Sequence, residues 1–192
     1  AAMDLAHARS ELLAMLIEKS VCRGTFTLAS GATSDLYIDC RQTTMNPHGA
    51  LLVGRVGWEL IRRAIADETL PPVDSLGGLT MGADPIALAI GIAAHIEDPR
   101  ATLGMFTVRK AAKAHGRGKL IEGIFKEGNR VVIIDDVITT GGSTLQAIDA
   151  VEAAGGKVQF VLVLVDRQEG GRDNIEARGH RVVSIFTRAD LT

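Results

Sequence analysis

The apolar positions of this chain change period along its length. From Asp4 to Lys19, Leu5, Leu12, Leu16 and Ile17 recur at roughly helical spacing, with Glu11, Glu18 and Lys19 between them. That pattern predicts an amphipathic opening helix. Next, Thr25–Leu28 and Leu36–Cys40 flank the turn-rich stretch Ser30–Ser34, which reads as a hairpin set outside any main sheet. A long helix is predicted from about Pro47 to Asp67, with Leu51, Leu52, Val56, Leu60 and Ile61 turned to one side, and Pro71-Pro72 ends it.

Beyond Pro72 short apolar strands alternate with helices. The predicted strands are Val73–Leu76, Leu103–Val108, Arg130–Asp135, Val158–Asp166 and Arg181–Ile185. Asp84-Pro85 suits a helix start, since Asp can cap free amides and Pro fits the first helical position. A further helix is predicted over Ser143–Ala154, closed by Gly155-Gly156. This alternation implies the α/β class, with a mostly parallel central sheet flanked by helices. The 192 residues suit one domain with a buried core.

Composition narrows the function classes. Hydrophobic residues make up 46% and charged residues 23%, which excludes disorder and fibrous repeats. A net charge of −2 argues against a nucleic-acid binder working by bulk electrostatics and favours a small-molecule partner. Only Cys22 and Cys40 are present, without metal-ligand spacing, so neither a disulfide framework nor a structural zinc site is expected. No apolar run reaches membrane-spanning length, and no basic region followed by an apolar core opens the chain. The expectation is a cytoplasmic protein with no membrane partner.

Candidate chemistry concentrates in Arg130–Thr144: apolar strand, acidic pair Asp135-Asp136, then the loop Thr139, Thr140, Gly141, Gly142, Ser143 and Thr144 at a helix start. In an open α/β sheet ligands bind beyond the carboxyl ends of strands. Glycine backbone, hydroxyl donors and free helix amides there suit a phosphate monoester. No Lys follows the glycines, so this is not a nucleotide-hydrolysing Walker loop. Two carboxylates beside a phosphate loop would repel the phosphate unless they faced something else. A vicinal diol and a positive charge developing at an anomeric carbon are suitable partners. The plainer alternative is that the pair caps a solvated turn. A second cluster gathers Arg109, Lys110, Lys113 and His115 ahead of Gly116, Gly118 and Gly123. A mobile basic loop can neutralise a departing pyrophosphate and release it, although a basic run can also be a solvated face.

The strand, acidic pair and Thr-Thr-Gly-Gly-Ser-Thr loop resemble the 5-phosphoribosyl-1-pyrophosphate (PRPP) signature of type I phosphoribosyltransferases. That resemblance implies that Asp135 and Asp136 meet the ribose hydroxyls while Thr139–Thr144 wraps the 5′-phosphate. Residues 108–116 are similar to the catalytic loop of orotate phosphoribosyltransferases. Gly24–Gly31 with Tyr37–Asp39 is similar to their N-terminal hood, Gly77–Pro85 to their pyrophosphate-facing loop, and Val165–Glu169 to the strand end whose Arg meets orotate. The resemblance spans about residues 20–185. It implies the type I fold, with residues 1–45 and the C-terminal end forming a hood. It also implies contacts of Arg167 and Thr139 with orotate, and roles for Arg109, Lys110, Lys113 and His115 at the pyrophosphate. Mg2+ is expected to be held mainly by the substrate, with no dedicated protein metal cage. A homodimer is expected, with the Arg109–Gly118 loop shared across its interface. Ala29 and Met81 stand where many members carry lysines that help hold PRPP. The alternatives are another PRPP-dependent base phosphoribosyltransferase and a PRPP-binding regulatory protein of the same fold.

Overall fold

The computed structural model describes residues 4–28, 30–101, 103–115 and 118–192. Helix α1 (Leu5–Met15) is capped by the Asp4 carboxylate, which accepts from the Ala6 amide at 3.2 Å. The expected helix to Lys19 changes pitch first: Leu16–Ser20 form a wider π turn. Widening the turn shifts the side-chain phase. Leu16 and Ser20 thereby stay buried, and the Ser20 hydroxyl shares a hydrogen bond with that of Thr43 at 2.7 Å.

Strands β1 (Val21–Thr27) and β2 (Thr33–Ile38) pair antiparallel as a separate two-stranded sheet, with an irregularity between Arg23 and Phe26. The first strand starts earlier than its apolar pattern suggests, because backbone pairing with β2 supplies what side-chain burial does not. A short helix α2 (Arg41–Thr44) leads to α3 (Pro47–Glu68), where Asn46 caps the amides of His48 and Gly49 and Pro47 opens the first turn.

The main sheet contains β3 (Ser75–Leu79), β4 (Gly104–Val108), β5 (Ile121–Gly123), β6 (Arg130–Ile138), β7 (Lys157–Asp166) and β8 (Val182–Thr187). Their order is β5-β4-β3-β6-β7-β8, and every pairing is parallel except β4 with β5. One face packs α1, α3 and α4 (Ala83–Glu97); the other packs α5 (Gly142–Ala153) and α6 (Gly171–Ala177). Along β6, Val132 and Ile134 join the first core, while Val131 and Ile133 join the second. This is the period-two alternation of a strand buried on both faces.

Several boundaries differ from the expected ones. β3 runs to Leu79 instead of stopping at Leu76, because Gly77 and Gly78 lie flat in the sheet. A Cβ on either would come 2.0 Å from the carbonyl oxygen of Phe106 or Ile134. β6 runs past the acidic pair to Ile138. The last strand is shifted to Val182–Thr187, and β5 and α6 were not expected at all. After β8, Arg188–Leu191 form a 3-10 turn against the hairpin: Arg188 pairs with Asp35 at 2.6 Å, and Arg23 donates to the Leu191 carbonyl at 2.7 Å.

Candidate active site

The sheet order reverses at the β3–β6 boundary, since successive strands lead away from it in opposite directions. A crevice opens at such a switch point, beyond the carboxyl ends of the strands. Asp135 and Asp136 lie there, still within β6, so alternation sends their side chains to opposite faces.

Asp135 points toward α5 and is only 5% exposed. Its Oδ2 accepts from the Ser143 hydroxyl at 2.9 Å and the Thr144 hydroxyl at 2.7 Å, and its Oδ1 accepts from the Asp136 amide at 2.9 Å. Burial, followed by the charge of Asp136, pushes its carboxyl up to about 7 despite the two hydroxyl donors. Asp136 is half-buried on the opposite face, toward the Thr80–Gly82 loop. A Cβ on Gly82 would lie 2.6 Å from Asp136 Oδ1. Cys40 Sγ lies 4.0 Å from the Asp136 carbonyl oxygen, and burial, then the charges of Asp136, Asp39 and Asp135, raise its thiol well above the usual range.

The loop after β6 divides in two. Thr139, Thr140 and Gly142 are exposed, and no side chain caps α5, which leaves its first amides available beside them. Gly141 turns the chain at φ 90°, and a Cβ there would meet the Gly171 carbonyl at 3.1 Å. The start of α6 braces the loop: the Gly171 amide donates to the Thr139 carbonyl, and Asn174 Nδ2 donates to that of Thr140 at 2.8 Å. The Ser143 and Thr144 hydroxyls are turned to Asp135 instead.

Arg167 lies at the end of β7 and is 5% exposed, which rules out a surface ion pair as its role. Its guanidinium donates to the Leu36 carbonyl and the Ser34 hydroxyl, each at 3.2 Å, and Glu169 lies 3.5 Å from its Nε. It therefore ties the sheet to the hairpin. On the other flank, Arg109 Nε and Lys113 Nζ lie 3.4 and 3.5 Å from the same Glu122 oxygen. The Arg109 amide donates to the Leu120 carbonyl, closing the base of the basic loop. Lys110, Lys113 and His115 are exposed. Arg109 and Leu120 face Gly142, Gln146 and Asp149 across a cleft of about 550 Å3. Gly116 and Ala29 lie outside the described residues.

Sequence reasoning did not single out Glu122. Glu122 reads as an isolated acid in a short apolar run. Gly82 falls within the Gly77–Pro85 loop already noted, and only the approach of Asp136 shows that a side chain is excluded there.

A parallel sheet with its switch point at an acidic strand end, followed by a hydroxyl-rich loop and a free helix start, is the arrangement of a type I phosphoribosyltransferase. The chain matches the phosphoribosyl transferase domain family over residues 90–185. It is 40% identical to the orotate phosphoribosyltransferase of Rhodopirellula baltica over 180 residues, covering 94% of this chain and 92% of that one. A crystal structure of Mycobacterium tuberculosis orotate phosphoribosyltransferase with Fe(III) dicitrate is 41% identical, with a TM-score of 0.79 over 96% of this chain and 98% of that one. Another, in complex with PRPP, gives 34% identity and a TM-score of 0.75 over 100% and 98%. The chain belongs to the orotate phosphoribosyltransferase family.

Proposed function

We propose that this protein transfers the phosphoribosyl group of PRPP to a ring nitrogen of orotate, forming orotidine 5′-monophosphate and pyrophosphate. The observation that carries the reading is the junction of three elements at the switch point. Asp136 is half-open, the Thr80–Gly82 loop lies against it, and the exposed Thr139, Thr140 and Gly142 lead into α5. A phosphate monoester suits the loop amides and hydroxyls, and a ribose diol suits Asp136. The names of the relatives support orotate as the acceptor.

The chain's own residues would act by positioning and charge. The loop after β6 would hold the 5′-phosphate. Asp136 would accept ribose hydroxyls and favour positive charge at the anomeric carbon as the pyrophosphate departs. Arg109, Lys110 and Lys113 would neutralise the leaving group, with His115 exposed beside them to orient it or donate a proton. Arg167 would hold the hairpin over the base and take part in recognising its carboxylate, with Thr139 nearby in the loop. Asp136 is a hard, partly open oxygen donor and suits Mg2+ held mainly through substrate phosphates, where the ion would supply charge neutralisation. Among the described residues, no group of three or more His, Cys, Asp or Glu is arranged to hold a metal.

We further read the protein as a cytoplasmic two-fold dimer. No helix among the described residues is long and apolar enough to cross a membrane. Leu51 of α3 and Leu88, Ile92 and Ile96 of α4 are 42–66% exposed, and Leu51, Ile92 and Ile96 line a groove of about 900 Å3. An apolar surface of this kind suits a partner copy.

The test is turnover of PRPP with orotate, compared with adenine, hypoxanthine and uracil. Activity with orotate and at most traces with the others is expected. Preference for a purine, or PRPP binding without turnover of any base, would refute the reading.

A further inference from the structure

Cys40, buried, precedes α2 and Arg41 opens it, and both lie beside the site. Cys40 Sγ lies 4.0 Å from the Asp136 carbonyl oxygen, and Arg41 Nη1 lies 4.0 Å from Met81 Sδ in the Thr80–Gly82 loop. That loop is the one whose Gly82 presses on the Asp136 carboxylate. The Arg41 side chain is 46% exposed, and its Nε donates to Asp39 at 3.3 Å, which fixes the stem; among the described residues neither terminal nitrogen donates a hydrogen bond to a carboxylate. Lys110 and His115 are exposed in the basic loop on the other flank, while three other cations near the site are engaged. Arg167 is turned inward to Leu36 and Ser34, and Arg109 and Lys113 share Glu122. Asp39 and Asp136 make this rim acidic, so a polyanion seated beside Asp136 needs a fixed positive charge opposite it.

We infer that Arg41 is a substrate-binding residue whose guanidinium grips the pyrophosphate group of PRPP, and of the released product, against the Thr80–Gly82 loop. The inference rests on the PRPP-dependent reading of the site. Its chemistry is that of a planar fork of donors, which binds phosphate oxygens through paired charge-assisted hydrogen bonds. The position also explains how the site serves a diphosphate with Met81 in that loop: the cation is supplied from the neighbouring element.

Two measurements test it. In steady-state kinetics, Arg41→Gln should raise the KM for PRPP at least about tenfold, the cost of one lost charge-assisted contact, and change the KM for orotate less than about twofold. In calorimetric titration with pyrophosphate and Mg2+, the same variant should bind at least about tenfold more weakly. Asp39→Asn, which removes the tether and keeps the cation, should retain most of the pyrophosphate affinity. Pyrophosphate binding unchanged by Arg41→Gln overturns the inference. So does a variant that unfolds, or equal rises in both KM values reproduced by Asp39→Asn, since each makes Arg41 a brace for the hairpin. If wild type turns over no orotate, the functional reading fails, and the pyrophosphate titration still decides the role of Arg41.

Discussion

Asp135 keeps a carboxyl in a place with little water and a second carboxylate beside it. Its ordinary value is about 3.9 and its folded value is about 7. Between those values the folded chain retains a proton that the unfolded chain has released. Stability therefore falls as pH rises through the window and levels off above about 7. Asp135→Asn cannot titrate, so between pH 5 and 8 it should lose less stability than wild type, by on the order of 1–3 kcal/mol. Urea denaturation of both proteins at the two pH values checks this, and parallel pH dependence would count against the shift. Arg167 carries a different burden, because its buried guanidinium holds Leu36 and Ser34. Arg167→Ala should cost about 2–4 kcal/mol of stability and raise the KM for orotate more than that for PRPP. A variant as stable as wild type would show that the hairpin does not depend on this residue.

At the scale of elements, the turn after β3 approaches β6 closely at the proposed site. Gly82→Ala would place a methyl group 2.6 Å from Asp136 Oδ1, at the start of α4. Either the carboxylate or the loop must move. Turnover should drop at least about tenfold while unfolding free energy changes by less than about 1 kcal/mol, because the displaced groups are half-open and outside the core. Gly91→Ala in the same helix, where the added carbon meets only the Leu103 carbonyl at 3.7 Å, should stabilise the protein by about 0.5–1 kcal/mol. Normal turnover in Gly82→Ala would show that the approach to Asp136 is not needed for the reaction.

For the molecule as a whole, the exposed face of α4 and the basic loop lead to linked expectations. Ile92→Glu with Ile96→Glu should yield a monomer by sedimentation, because two charges would be forced into an apolar contact. A dimer that persists would place the interface elsewhere. If the Arg109–Gly118 loop serves the neighbouring site, mixing Lys113→Ala subunits with Asp136→Asn subunits should restore activity. Random exchange makes about half the dimers mixed, each with one whole site of two, so about a quarter of wild-type activity should return. A loop acting within its own subunit would leave every site defective and restore nothing.

The alternation of apolar runs with helical periods was enough to define the α/β class. The acidic pair followed by hydroxyls and glycines was enough to locate the strand end and the hydroxyl-rich loop that opens α5, because both signals are local in the chain. What Asp135 and Asp136 do separately was not local. Their opposite directions follow from β6 continuing to Ile138, which depends on pairing with β7 through Asp166. Gly77 and Gly78 read as loop and proved to be strand, since only the neighbouring carbonyls of Phe106 and Ile134 reveal why no side chain fits. The hairpin's dependence on Arg167, 131 residues from Leu36, and the place of Arg41 beside Met81 were likewise decided by tertiary packing. Such contacts join residues distant in sequence, and no periodicity or spacing along the chain carries them.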